Sequence, residues 1–108
     1  MPTQVFINLP VKDLEKSKAF FAHLGYSFNP QFTNEQAACM VISDTIYAML
    51  LTEPFFQGFT KKTIADGHSS KEVLICLSCE SREAVDEMVK KAWEAGGTAP
   101  MPAQDHGF

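Results

Sequence analysis

The sequence repeats one pattern twice, and the second copy begins 68 residues after the first. Residues 5–11 alternate apolar with other side chains, which is the period of a strand, and residues 73–79 do the same. Each stretch is followed at once by a helix cap, Asp13 or Ser81, and then by apolar residues at helical spacing that end in glycine. A chain of 108 residues with this repeat is expected to fold as one domain of two related modules.

The first module is predicted to continue with three more strands. Residues 26–32 alternate and contain Pro30, which favours an edge strand or an irregular one. Residues 37–42 and 46–52 form a predicted hairpin, because a turn-forming Ser-Asp-Thr sequence separates two apolar runs. The predicted order of module one is therefore β-α-β-β-β.

The second module is predicted to be shorter than the first. After its helix, only Thr98–Ala103 remains as a short edge strand before Phe108, so two strands of the repeat are expected to be lacking. We divide the chain into module one at 1–53, a linker at 54–71 and a partial module two at 72–108. The expected fold class is α+β, with tandem β-α-β-β-β modules that form a curved mixed sheet around a cavity, the second module being truncated.

Charge, hydropathy and cysteine content limit the partners of this chain. Nine basic and 13 acidic residues give 9 − 13 = −4, and a nucleic-acid surface requires clustered basic residues, so no nucleic-acid partner is expected. No apolar run approaches the ~20 residues of a membrane helix, and the N-terminus does not resemble a secretory signal. Three cysteines without an export signal favour reduced thiols and hence a cytoplasmic protein.

The first half of the chain carries a family pattern. Residues 8–17 read Asn-Leu-Pro-Val-Lys-Asp-Leu-Glu-Lys-Ser, and Phe20-Phe21 and Leu24-Gly25-Tyr26 follow. This pattern resembles the opening signature of the vicinal oxygen chelate superfamily, which contains glyoxalase I, bleomycin-resistance proteins and extradiol dioxygenases. Residues 73–97 resemble the matching half of that family. The resemblance implies paired β-α-β-β-β modules whose sheets curve around a cavity, commonly assembled as dimers.

The resemblance also implies where a metal would be bound. In metal-dependent members the first ligand, His or Gln, lies seven residues before the Asp that caps the first helix, and that position here is Phe6. The matching ligand of the second module falls at Leu74, and a glutamate ligand falls at Leu50, or at Met49 if the register slips. The fourth ligand would lie beyond Phe108. Phenylalanine and leucine offer no lone pair to a cation, so no metal and no other cofactor is expected.

The remaining donors form no recognised metal motif. His23 is expected to be solvated on the first helix, while His68 and His106 follow aspartates without the spacing of a known site. Cys76 and Cys79 match C-x-x-C, but side chains three residues apart on a strand point to opposite faces. Buried structural cysteines are therefore expected.

The predicted binding site is the lining of the cavity. If the odd-numbered residues of the first strand pack on the helices, Phe6 and Asn8 face the concave side, and Leu74 and Cys76 do so by symmetry. With Leu50 at the former ligand position, these residues form an apolar wall with few polar groups, as small-molecule sites do. The alternative is that the same residues fill the interior of the barrel.

The sequence thus predicts a glyoxalase/bleomycin-resistance-like, metal-free protein that binds a small, partly apolar molecule, and it argues against an enzyme more than for one. An unpaired sheet edge and exposed apolar surface also predict a homodimer. The alternative is a metal-dependent lyase, isomerase or dioxygenase of the same superfamily, with a divalent ion at a rearranged site that uses His68 or His106. A third reading is an interaction module with a filled interior.

Overall fold

A computed structural model describes residues 3–66, 69–70 and 72–98 of the chain. In chain order, its elements are β1 (Val5–Val11), α1 (Leu14–His23), β2 (Ser27–Asn29), β3 (Ala37–Val41), β4 (Ile46–Thr52), α2 (Glu53–Gln57) and α3 (Arg82–Glu94). A 3₁₀ turn at Pro30–Phe32 leads from β2 towards β3. Among these described residues, no helix combines the length and the apolar character that crossing a bilayer requires.

The described strands form one mixed sheet in the order β1-β4-β3-β2. Strand β1 pairs with β4 in parallel, whereas β4 with β3 and β3 with β2 are antiparallel pairs. The sheet is open, so β1 and β2 are its edges. The α+β class and the β-α-β-β-β order predicted for module one are confirmed.

Helix α1 begins and ends where its capping residues predict. The side chain of Asp13 accepts a hydrogen bond from the backbone N–H of Lys16 at 3.1 Å, which satisfies one of the free donors of the first turn. The chain leaves the helix through Gly25, whose φ of +104° is costly for any residue with a Cβ. The capping signals at both ends therefore fix the length of the helix.

Helix α1 covers one face of the sheet and forms the core there. Leu14 on the helix, Ala38 on β3 and Leu50 on β4 are buried together. The partly buried side chains that pack against this cluster are Leu9, Val11, Phe21 and Phe28. This contact fixes which face of each strand points towards the helix.

Within the described part of the chain, helix α3 packs against α1. The Ser81 hydroxyl accepts a hydrogen bond from the backbone N–H of Ala84 at 3.0 Å, so the predicted cap is confirmed. The apolar stripe of α3 is nevertheless half exposed at Val85, Val89 and Trp93. The amphipathic pattern was sufficient to form this helix, but not to bury it within the described part of the chain.

Two further predictions require correction. Residues 53–57, which were assigned mostly to the linker, form α2, because Pro54 occupies the first turn of a helix that directly continues β4. Residues 73–79, predicted as a strand, lie outside the described sheet. An alternating pattern becomes a strand only beside a partner edge, and no described strand supplies one here. The predicted strand Thr98–Ala103 lies, apart from Thr98, outside the described residues.

Candidate functional site

Cross-strand pairing divides the sheet residues between two faces. Residues directly opposite each other on neighbouring strands share a face, and successive residues alternate. Because Leu50 faces α1, its neighbours in sequence face away from the helix. We name this second surface the distal face. It comprises Phe6, Asn8 and Pro10 of β1, Tyr47, Met49 and Leu51 of β4, Ala37, Cys39 and Val41 of β3, and Ser27 and Asn29 of β2.

This division corrects the predicted position of Leu50. Leu50 pairs with Leu9 and lies in the core beside Leu14, with 1% of its surface exposed, so it cannot line a cavity on the distal face. Met49, which pairs with Asn8, takes that position instead. Of the two residues predicted for this position, Met49 and not Leu50 lies on the distal face, because a shift of one residue on a strand moves a side chain to the opposite face.

Two aromatic rings stack on the distal face. Phe6 pairs with Tyr47 in the β1–β4 ladder, and their ring centroids lie 4.9 Å apart with an angle of 11° between the planes. The Tyr47 hydroxyl donates a hydrogen bond to the carbonyl of Asp44 at 2.9 Å, which holds this ring in place. Phe6 remains 50% exposed. The pair therefore presents an ordered aromatic surface that a ligand can reach.

A row of four residues crosses the distal face next to the aromatic pair. It consists of Asn8, Met49, Cys39 and Asn29, one from each strand. The amide nitrogen of Asn8 donates to the carbonyl of Phe6 at 3.3 Å, which leaves the side-chain oxygen of Asn8 as an acceptor beside the rings. The row thus adds one exposed polar group to an apolar surface.

The distal face is buried towards one end and accessible towards the other. Leu51 and Cys39 are each 1% exposed, whereas Asn8 and Phe6 are exposed. Helix α2, which follows β4 directly, packs against both β1 and β4. A ligand on this face would therefore approach from the side of Phe6, Asn8 and Tyr47.

The groups on this face suit binding better than proton transfer. The described distal face contains no carboxylate and no histidine, so it offers none of the usual acid and base pairs. Burial raises the pKa of the Cys39 thiol, which keeps that group protonated and therefore a poor nucleophile. Aromatic, thioether and amide groups bind ligands through packing and hydrogen bonds.

Leu74 and Cys76 do not join Phe6 and Asn8 in the described structure. Both lie in the segment that is outside the sheet, and Leu74 is 79% exposed. Cys76 is exposed and Cys79 partly so, which corrects the expectation that both are buried structural cysteines. Only Cys39 is buried.

The residues at the family's metal positions do not fit a divalent ion. The position of the first ligand is filled by the Phe6 ring, and the neighbouring position on β4 by the thioether of Met49. In the described ranges, no three His, Cys, Asp or Glu side chains come close enough to bind one ion. His68 and His106 lie outside the described residues.

Two features of the molecule were not predicted from the sequence. Tyr47 belongs to the site, and the period-2 pattern of β4 places it opposite Phe6 once the parallel register is known. His23, expected to be solvated, is half exposed and approaches Glu94 of α3, with 3.2 Å between Nε2 and Oε1. No local signal marks that pair, because it joins two distant parts of the sequence.

Similarities to known proteins lead to one family. The family model described as bleomycin resistance protein-like N-terminal matches residues 3–43. No curated protein matches the sequence significantly. Among solved structures, the hypothetical protein SA1046 from S. aureus is similar, with a TM-score of 0.80 and 30% sequence identity. That similarity covers 100% of this chain and 81% of the other.

Proposed function

Because the chain belongs to the vicinal oxygen chelate superfamily, the glyoxalase and bleomycin-resistance group, we propose that it binds a small, partly apolar molecule without a metal ion. One observation carries the proposal. The residue at the position where metal-dependent members have their first ligand is Phe6, and its ring is stacked on Tyr47 at 4.9 Å. A position that binds a metal elsewhere in the superfamily thus offers an aromatic surface here.

The proposed ligand contains a planar aromatic or cationic group. The faces of Phe and Tyr rings attract cations and stack on flat apolar groups, with about 0.5–2 kcal/mol for each such contact. The side-chain oxygen of Asn8 accepts a hydrogen bond from a ligand N–H beside the rings. The net charge of −4 attracts a cation to the protein as a whole.

The proposal includes a homodimer and the division into modules. We expect module one at 1–53, a linker at 54–71 that now begins with most of α2, and a partial module two at 72–108. Of the 11 large hydrophobic residues that are exposed in the described structure, seven lie between residues 73 and 93. Association is favoured because it would cover this apolar surface. A cytoplasmic location remains the prediction made from the reduced cysteines.

The test measures binding with a matched pair of variants. Bleomycin and a panel of planar aromatic cations serve as probes, and the readouts are the melting temperature and native mass spectrometry. Phe6→Ala removes the exposed ring of the site, while Phe32→Ala removes a ring of similar exposure, 56% against 50%, outside the distal face. We expect Phe6→Ala to weaken binding about tenfold and Phe32→Ala to leave it unchanged.

Three results would contradict this function. Equal binding by the wild type and Phe6→Ala would show that the aromatic pair is not the site. One tightly bound divalent ion per chain, with an activity that a chelator abolishes, would instead support the metal-dependent enzyme. No rise in melting temperature with any probe would favour the interaction module with a filled interior.

A further inference from the structure

The distal face of the sheet is closed at one end. Leu51 lies on this face, yet only 1% of its surface is exposed. Helix α1 packs on the opposite face, and α3 packs on α1. Helix α2 begins two residues after Leu51 and packs against both β1 and β4. Among the described helices, α2 is therefore the one that covers this end of the distal face.

The segment that contains α2 is held together by its own contacts. The rings of Phe55 and Phe59 meet edge to face, with 5.4 Å between their centroids. The side-chain amide of Gln57 donates hydrogen bonds to two carbonyls further along the chain, at 3.0 and 2.7 Å. Phe55 and Phe56 are partly buried, whereas Phe59 is 72% exposed, so the first two rings form the inner side of the segment. We name residues 53–59 the end wall.

The distal face is also closed sideways, at β3. Cys39 is opposite Met49 on the neighbouring strand and is 1% exposed, so a ligand that covers Met49 cannot spread onto β3. Towards the other side, β1 is an edge of the described sheet. The part of the face that a ligand can cover therefore consists of Phe6 and Asn8 on β1 and of Tyr47 and Met49 on β4. We name these four residues the open part.

The open part has a definite length along the strands. Tyr47 and Leu51 are four residues apart on β4, and a strand rises about 3.3 Å per residue, so the two lie about 13 Å apart. The half-width of a helix is about 5 Å, which leaves about 8 Å free between the ring of Tyr47 and the end wall. A group stacked on Phe6 and Tyr47 can thus extend over Asn8 and Met49 before it meets α2.

We propose that the end wall determines the length of the ligand. The site takes a planar aromatic cation that carries one apolar tail of up to about 8 Å, and it discriminates against longer tails. Phe55 and Phe56 are the specificity-determining residues, because their rings form the inner side of the wall. This inference rests on the aromatic site of the proposed function and adds the shape of the ligand.

The chemistry of the open part agrees with such a ligand. Met49 presents a flexible thioether, a group that packs on apolar chains of varied shape. The described distal face contains no carboxylate, so a positive charge is stabilised there by the rings and by the side-chain oxygen of Asn8. A charge that is delocalised over a flat ring suits these groups, while the remainder of the molecule is apolar.

The experiment measures how affinity depends on the length of the tail. N-alkylpyridinium ions from ethyl to decyl are titrated calorimetrically, and binding to Phe6→Ala is subtracted to remove contributions from apolar surface elsewhere. We expect the affinity to rise about two- to fourfold with each methylene that contacts the face, and to stop rising between hexyl and octyl, where the tail reaches the wall. A steady rise as far as decyl would overturn the inference.

Two variants of the end wall are expected to move this limit. Phe55→Ala and Phe56→Ala each remove a ring from its inner side, and at least one should bind the decyl ion about tenfold more tightly than the wild type does, with equal binding of the ethyl ion. Phe32→Ala removes a ring outside the distal face and should keep the wild-type limit. Melting temperatures identify the variants that are folded, and an unchanged limit in folded Phe55→Ala and Phe56→Ala would overturn the inference.

A second measurement uses the unsubstituted protein and does not depend on the folding of a variant. A hexylpyridinium ion with a photoreactive diazirine at the end of its tail is bound and irradiated, and the labelled peptides are mapped by mass spectrometry. We expect the label within residues 53–59. Labelling confined to other parts of the chain would show that the tail does not reach the end wall.

The results separate this inference from the proposed function. If the ethyl ion fails to bind, or binds Phe6→Ala as well as the wild type, the aromatic site itself is contradicted and the length limit with it. If the ethyl ion binds through Phe6 but the series shows no limit, only the role of the end wall is overturned, and the aromatic site stands.

Discussion

His23 and Glu94 join two helices across 71 residues of sequence, with 3.2 Å between Nε2 and Oε1. Close by, Gly97 lies against the ring of Phe20, and its N–H donates to the carbonyl of Ala92 at 2.7 Å. This contact is half exposed and contributes at most about 1 kcal/mol. The close approach of α3 to α1 therefore depends more on the absence of a side chain at Gly97 than on the contact between His23 and Glu94.

The first prediction concerns this close approach. A Cβ at position 97 would lie 2.9 Å from the carbonyl oxygen of Ala92 and 3.1 Å from a ring carbon of Phe20. Gly97→Ala is expected to lower the free energy of unfolding by about 1–3 kcal/mol, because helix backbone must shift to make room. Urea titration followed by the fluorescence of Trp93 measures this, with the exposed Thr98→Ala as control. A cost equal to that of Thr98→Ala would show that α3 does not rest on α1 as described.

The second prediction concerns the ring of Tyr47. Tyr47→Phe removes the hydrogen bond to the Asp44 carbonyl but keeps the ring, whereas Tyr47→Leu removes the aromatic partner of Phe6. We expect the first variant to bind the cationic probes within about threefold of the wild type and the second to bind about tenfold more weakly. Calorimetric titration distinguishes these outcomes. Equal losses in both variants would indicate that the hydroxyl, and not the ring, contacts the ligand.

The third prediction concerns a hydroxyl that connects β2 with β3. Thr33 donates to the carbonyl of Asn29 at 2.7 Å and accepts from the backbone N–H of Cys39 at 3.1 Å. Thr33→Val leaves the Asn29 carbonyl and the Cys39 N–H without their hydrogen-bond partner at a partly buried position. We therefore expect the free energy of unfolding to fall by about 1–3 kcal/mol. Thr33→Ser keeps the hydroxyl and is expected to recover most of the loss. Thermal unfolding of the three proteins tests this, and a Ser variant as unstable as the Val variant would contradict it.

The fourth prediction is a loss of stability at high pH. Burial raises the pKa of Cys39 in the folded protein, so the folded state keeps its proton at pH values where the unfolded chain has lost it. This contribution to stability is fully present below the ordinary thiol pKa of 9.0 and is lost as the pH rises towards the raised value. Cys39→Ala should flatten the decline in unfolding free energy above about pH 9. Cys76→Ala, which removes an exposed thiol, is the matched control.

Local signals determined what could be predicted from the sequence. The strand β1, the cap at Asp13 and the exit at Gly25 follow from period and capping chemistry, both of which act within a few residues. The identity of Met49 as the distal residue required the parallel register of β1 with β4, which no short stretch of sequence encodes. Whether residues 73–79 form a strand depends on a partner edge, so their alternating pattern alone could not predict it.

The pairing of the first strand with the last one of module one has a consequence for the order of folding. Val5 is opposite Ile46, so a loop of 46 − 5 = 41 residues must close before the β1–β4 ladder forms. By contrast, β3 and β4 are joined by a short turn. Closing a long loop costs entropy that a hairpin avoids, so β1 is expected to dock after the hairpin and to detach before it. Hydrogen exchange should be faster at Ile7 than at Met40. A strand that arrives last and leaves first is the one that two nascent chains can most easily exchange.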